Sequence, residues 1–87
     1  MPEHVAPERE ASDREIIAEF VHTAAWSAIL DVLRTRVKSL KIRVFNSVSF
    51  EETMQARYAH NEIKTFVHAV YAKAQEPIPS NVTAIFE

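Results

Sequence analysis

Along the middle of the chain, apolar residues recur at alternating steps of four and three. Trp26, Leu30, Leu33, Val37, Leu40 and Val44 fall on this pattern. It is the a/d seam of a packed amphipathic helix, with Ile29 widening it at the tryptophan end. Nothing in residues 24–44 breaks a helix, so the pattern predicts one of about 30 Å at 1.5 Å per residue. Upstream, Ile16, Ile17, Phe20 and Val21 make a shorter apolar stripe behind Ser12-Asp13-Arg14-Glu15. That tetrapeptide reads as a capping box opening a first helix. Thr23 is placed to cap a second helix starting at Ala24, and one continuous helix through His22 and Thr23 is the alternative.

Phe45-Asn46-Ser47-Val48 reads as a turn, with Asn46 the best residue for a left-handed cap where glycine would normally sit. Ser49-Phe50-Glu51-Glu52 is another capping box and predicts a further helix. The expected inner face of that helix is Met54, Ala59, Ile63, Phe66, Val70 and Ala74, with Tyr58, Val67 and Tyr71 beside it. Pro77 ends it, because proline disfavours the helical region for the residue before it. Pro77-Ile78-Pro79 then reads as a stiff spacer, and Ser80–Glu87 as a β-prone segment too short to fold alone. The expected fold is all-α: an antiparallel two-helix hairpin with a short preceding N-terminal helix and extended N- and C-terminal segments. Residues 1–11 form the acidic arm, 12–76 the hairpin domain and 77–87 the proline-containing tail.

Composition narrows the function classes. The 87 residues contain no glycine and no cysteine. A phosphate-cradling loop, a dinucleotide fingerprint and a nucleophile elbow all need glycine at fixed positions. Disulfides, thiol catalysis and thiolate metal sites need cysteine. A non-enzymatic protein without cofactors is the expectation. No run of 18 apolar residues predicts a membrane span, and the acidic N-terminal stretch lacks a signal-peptide pattern, so no membrane partner is expected. Asn81-Val82-Thr83 matches a glycosylation sequon, read here as chance.

The net charge of −2 hides a segregated layout. Residues 1–19 carry six acids and two bases, whereas residues 20–43 carry five bases and one acid. Such opposition, together with apolar surface that two helices cannot cover, predicts self-association or docking on a larger structural protein. On a helix, Arg34, Lys38 and Lys41 share one side, with Arg36 and Arg43 on another. They read first as solvated flanks, then as a contact for an acidic protein partner, and last as a phosphate-binding surface. His4, His22, His60 and His68 lack the spacing of a metal site. Glu51 and Glu52 are explained by the cap and the helix dipole. Trp26 is either a core anchor or an interface anchor. Ile85 and Phe86 are candidates either for docking onto a partner's sheet edge or for folding back over the hairpin. The candidate partner-binding residues are therefore Trp26, Arg34, Arg36, Lys38, Lys41, Arg43, Ile85 and Phe86.

The sequence Phe20-x-x-Thr23-x-x-Trp26, followed by Leu30, Leu33 and Arg36, and later by Asn61-Glu62-Ile63, resembles small helical-hairpin proteins from the morphogenesis clusters of tailed bacteriophages. The resemblance covers about residues 16–71. It implies an assembly or virion accessory role near the portal, the capsid or the head-to-tail connection, in the virion or the host cytoplasm. A nucleic-acid-associated factor using residues 34–43, or an inhibitor of a host component, are the alternatives.

Overall fold

The computed structural model describes the chain from Pro7 to Glu87, with side chains from Ser12 onward. The expected arm at residues 1–6 lies outside the described residues. Three helices make up the body: α1 (Pro7–Phe20), α2 (Ala24–Asn46) and α3 (Phe50–Ala74). A one-turn helix, α4 (Ser80–Thr83), and a 3₁₀ turn over Ala84–Phe86 follow. The fold is all-α, and α2 and α3 form the antiparallel hairpin.

Thr23 decides where the first helix stops and the second begins. Its hydroxyl accepts from the Trp26 amide at 3.2 Å and donates to the Phe20 carbonyl at 2.7 Å. One side chain thus satisfies an orphan donor of α2 and an orphan acceptor of α1. The chain bends by 70° at this break, so the continuous alternative is excluded. α1 packs against α3. Ser49 caps α3 as expected, accepting from the Glu52 amide at 3.1 Å.

The heptad seam of α2 faces inward. Trp26, Leu30, Val37 and Leu40 are buried, and Leu33 and Val44 are half-buried. Trp26, Leu30 and Val37 join Val21, Val67, Tyr71, Val82 and Ile85 in one core cluster. Within it the Trp26 indole N–H donates to the Tyr71 hydroxyl at 2.9 Å. The Phe20 ring also packs on the indole, at a centroid distance of 5.7 Å. Trp26 is therefore the anchor where α1, α2 and α3 converge.

Several expectations need correction. α1 begins at Pro7 and runs straight through Ser12, so residues 7–11 are helical and Ser12 is no cap. Proline suits the first helical position, where its missing N–H would be unpaired anyway. Asn46 stays helical, and α2 ends on an extended Ser47. Ile29 is exposed. In α3 the buried positions are Ala56, Val67, Tyr71 and Ala74, whereas Met54 and Phe66 of the expected inner face are exposed. The inward stripe runs through Thr53, Ala56, His60 and Ile63, and a small alanine with two polar residues conceals it. The left-handed cap occurs instead at Gln75 (φ 56°, ψ 42°). There the Gln75 amide bonds the Ala72 carbonyl, and the Glu76 amide bonds the Tyr71 carbonyl, a Schellman ending.

The tail is also corrected. It is not extended: Pro77–Pro79 turn it back, and the Pro79 carbonyl accepts from both Val82 and Thr83 at 3.0 Å. Val82 and Ile85 are spaced three apart, so a single helical turn aims both into the core. Burial of these two side chains favours the turn over a solvated strand.

Candidate partner-binding surfaces

The hairpin geometry sorts the candidate residues. Trp26 is 3% exposed and engaged on two sides, so its candidacy as an interface anchor is corrected: it is a core residue. Ile85 is buried and closes the core from the tail side, which corrects its candidacy as well. Phe86 is half-buried, with its ring edge-on to His60 at a centroid distance of 5.9 Å. Neither residue stands out as a peg for another chain's sheet edge.

The five bases of α2 are all exposed. Arg34 donates to Asp31 at 2.9 Å, one turn back, an exposed pair worth a few tenths of a kcal/mol. Arg34, Lys38 and Lys41 line one groove of about 450 Å³, whose opposite wall is Asn81, Ala84 and Ile85 of the tail. The folded-back tail thus builds a basic groove along α2. A second groove, of about 360 Å³, lies nearer the hairpin tip between Lys41 and Arg57. Its floor is Leu40, Val44 and Ala56, and Phe86 closes one end. Arg36 and Arg43 line neither groove.

The histidines stand apart from one another. His22 Nε2 lies 2.9 Å from the Glu76 carboxylate and ties the α1–α2 corner to the end of α3. His60 sits under Phe86, its Nε2 buried without a hydrogen-bond partner, and His68 is exposed. His4 lies outside the described residues. Among the described residues, no three His, Asp or Glu side chains gather in a way that could hold a metal ion.

The most exposed large apolar side chains among the described residues lie where the sequence reads as a turn. Phe45, Val48 and Phe50, at the tip of the hairpin, are 89%, 95% and 81% exposed. Ile42 and Met54 continue the patch along the two helices, at 54% and 43%. With aromatic side chains offering about 150–250 Å² each, the three tip residues present roughly 400–500 Å² of apolar surface. That lies in the range of the largest patches on soluble monomers, which are often functional. The available signal was composition: a four-residue turn with phenylalanine at its start and valine at its end departs from normal turn chemistry. Comparison with known proteins adds no relative to this geometry. The chain matches no family model, no curated protein and no solved structure.

The opposite end of the molecule is acidic. Asp13, Glu15 and Glu19 are exposed on α1, with Arg14 half-buried among them. Lys41, Arg43 and Arg57 lie toward the tip, where Glu51 and Glu52 of the α3 first turn offset only part of their charge. The charge segregation read along the chain is thus a separation in space, basic toward the tip and acidic at the base. No single described helix is long and apolar enough to cross a membrane.

Proposed function

We propose that this is a non-enzymatic assembly protein that binds other protein subunits through the tip and basic flank of its helical hairpin. The observation that carries the reading is the exposed Phe45, Val48 and Phe50 at the end of the two-helix hairpin. Large apolar side chains held in water by a well-capped turn have no role in this chain's own core, and aromatic residues are favoured anchors at interfaces. The bases beside them, Lys41, Arg43 and Arg57, suit a partner surface with an acidic rim and speed the encounter with it. A virion accessory role near the portal, the capsid or the head-to-tail connection extends this reading. It is supported by the resemblance of residues 16–71 to phage morphogenesis proteins.

The test is co-sedimentation with large assemblies from cells that express the chain. The wild-type protein is expected in the particle fraction, and the Phe45→Ser/Val48→Ser/Phe50→Ser variant in the light fractions. A wild-type chain confined to the light fractions refutes the proposal. A second reading, nucleic-acid binding, is favoured by the convergence of Arg34, Lys38 and Lys41 on one groove. It requires affinity for a duplex that falls steeply with salt, with a log–log slope of about −0.9 per phosphate contacted. A flat salt dependence rejects it.

A further inference from the structure

The tip and the base are complementary to each other, yet they lie at opposite ends of one molecule and cannot meet within it. α2 and α3 hold them about 35 Å apart, at 1.5 Å per residue over 23 and 25 residues. The tip combines exposed Phe45 and Val48 with Lys41, Arg43 and Arg57. The base offers exposed Ile16, at 62%, beside Asp13, Glu15 and Glu19 on α1. Apolar surface rimmed by bases at one end thus answers apolar surface rimmed by acids at the other.

We propose that two copies of the chain pair antiparallel about a two-fold axis, each tip lying on the acidic α1 base of the other. The proposal deepens the assembly reading by naming a second copy as an occupant of the tip. A two-fold makes every contact twice, so both tips and both bases are covered and the pair closes without growing. Two tips at roughly 400–500 Å², with the base surfaces they cover, pass the ~1,200 Å² at which stable interfaces begin. Tip-to-tip pairing is disfavoured, because it would bring Lys41, Arg43 and Arg57 of both copies together, and Glu51 and Glu52 offset only part of that charge. Salt weakens the antiparallel pair, since its guiding charges are exposed.

Sedimentation velocity on the purified full chain, across concentration and salt, reads the state directly. The expected result is a dimer that dissociates on dilution and more readily at higher salt. Lys41→Glu/Arg43→Glu should weaken it at least tenfold, and so should Asp13→Lys/Glu15→Lys/Glu19→Lys. Mixing these two proteins, or combining all five changes in one chain, should restore pairing. Circular dichroism of each variant confirms that its helices persist. Because the chain lacks cysteine, Val48→Cys and Ile16→Cys proteins supply a second readout. Mixed, they should cross-link to each other faster than either cross-links to itself. A monomer under all conditions, a dimer indifferent to charge reversal, a growing ladder of species, or dominant Val48→Cys self-linkage each overturns the two-fold. A monomer in this assay leaves the particle-binding reading intact, because co-sedimentation with large assemblies tests that reading separately.

Discussion

Replacing Tyr71 by phenylalanine removes one oxygen atom and tests the central joint of the fold. Tyr71 and Trp26 are each 3% exposed, and their hydrogen bond of 2.9 Å is shielded from water. In Tyr71→Phe the indole N–H stays buried without an acceptor. Orphaning a buried donor costs about 1–3 kcal/mol, more than the net worth of an ordinary hydrogen bond. A chain of 87 residues has about 4–13 kcal/mol of total stability at 0.05–0.15 kcal/mol per residue, so the loss is a large share. At about 4–8 °C per kcal/mol for a domain of this size, the melting temperature falls by roughly 4–24 °C. Urea unfolding followed by fluorescence suits the measurement, since Trp26 is the sole tryptophan and reports its own surroundings. The companion variant Trp26→Phe removes the donor itself, and in the double variant the orphan is gone. The two changes should therefore be less than additive, by about 0.5–3 kcal/mol in a double-mutant cycle. An unchanged midpoint for Tyr71→Phe, or strict additivity, would refute the joint as described.

Deleting residues 80–87 removes Val82 and Ile85 from the core, at about 1.5–3 kcal/mol for each buried side chain. The urea midpoint should drop by the equivalent of about 3–6 kcal/mol; a midpoint matching the parent would mean that the tail only rests on the surface. Gln75→Gly should raise stability by about 0.5–1 kcal/mol, because φ at 56° is costly for any side chain and costless for glycine. Gln75→Ala is the control and should show no such gain in a thermal melt.

Legibility followed how strongly each feature depended on side chains near in sequence. The hairpin and the Ser49 cap were readable from the helical periodicity and a local capping signal, whereas the Thr23 break stood beside a continuous helix as an open alternative and the equally local Ser12 box misled. The α2 seam was readable because large apolar side chains mark it at every turn. The α3 face was not, because its inward positions in the half nearer the tip include Thr53, Ala56 and His60, while Met54 and Phe66 look inward by type alone. Tertiary packing chose the register there, with Ala56 and Leu40 lining the same groove between the helices. The extended reading of the tail failed for the same reason, whereas its alternative, a tail folded back over the hairpin, is what the structure shows. Its β-prone residues gain more from burying Val82 and Ile85 against α2 and α3 than from an extended backbone with nothing to pair with. The partner-binding candidates were split accordingly. The bases of α2 stayed on the surface, as charged residues do, while Trp26 and Ile85 went to the core.

The placement of the core explains why the tip is left exposed. Trp26, Leu30, Val67 and Tyr71, with Val21 from the α1–α2 corner and the two tail side chains, lie toward the base end of the hairpin, where more than two segments pack together. Toward the tip the tail reaches only as far as the groove beside the buried pair Leu40 and Ala56, which Phe86 and Glu87 also line, and beyond it α2 and α3 stand alone. Two helices have too little facing surface to enclose Phe45, Val48 and Phe50 as well, so those side chains project into water. Local stability follows contact density, so the base holds the fold while the tip contributes little to it. Residues that do little for their own domain can carry an interface without destabilising it. In this chain the same residues are the ones near Lys41, Arg43 and Arg57, so the proposed apolar anchor and its electrostatic guide share one end of the hairpin.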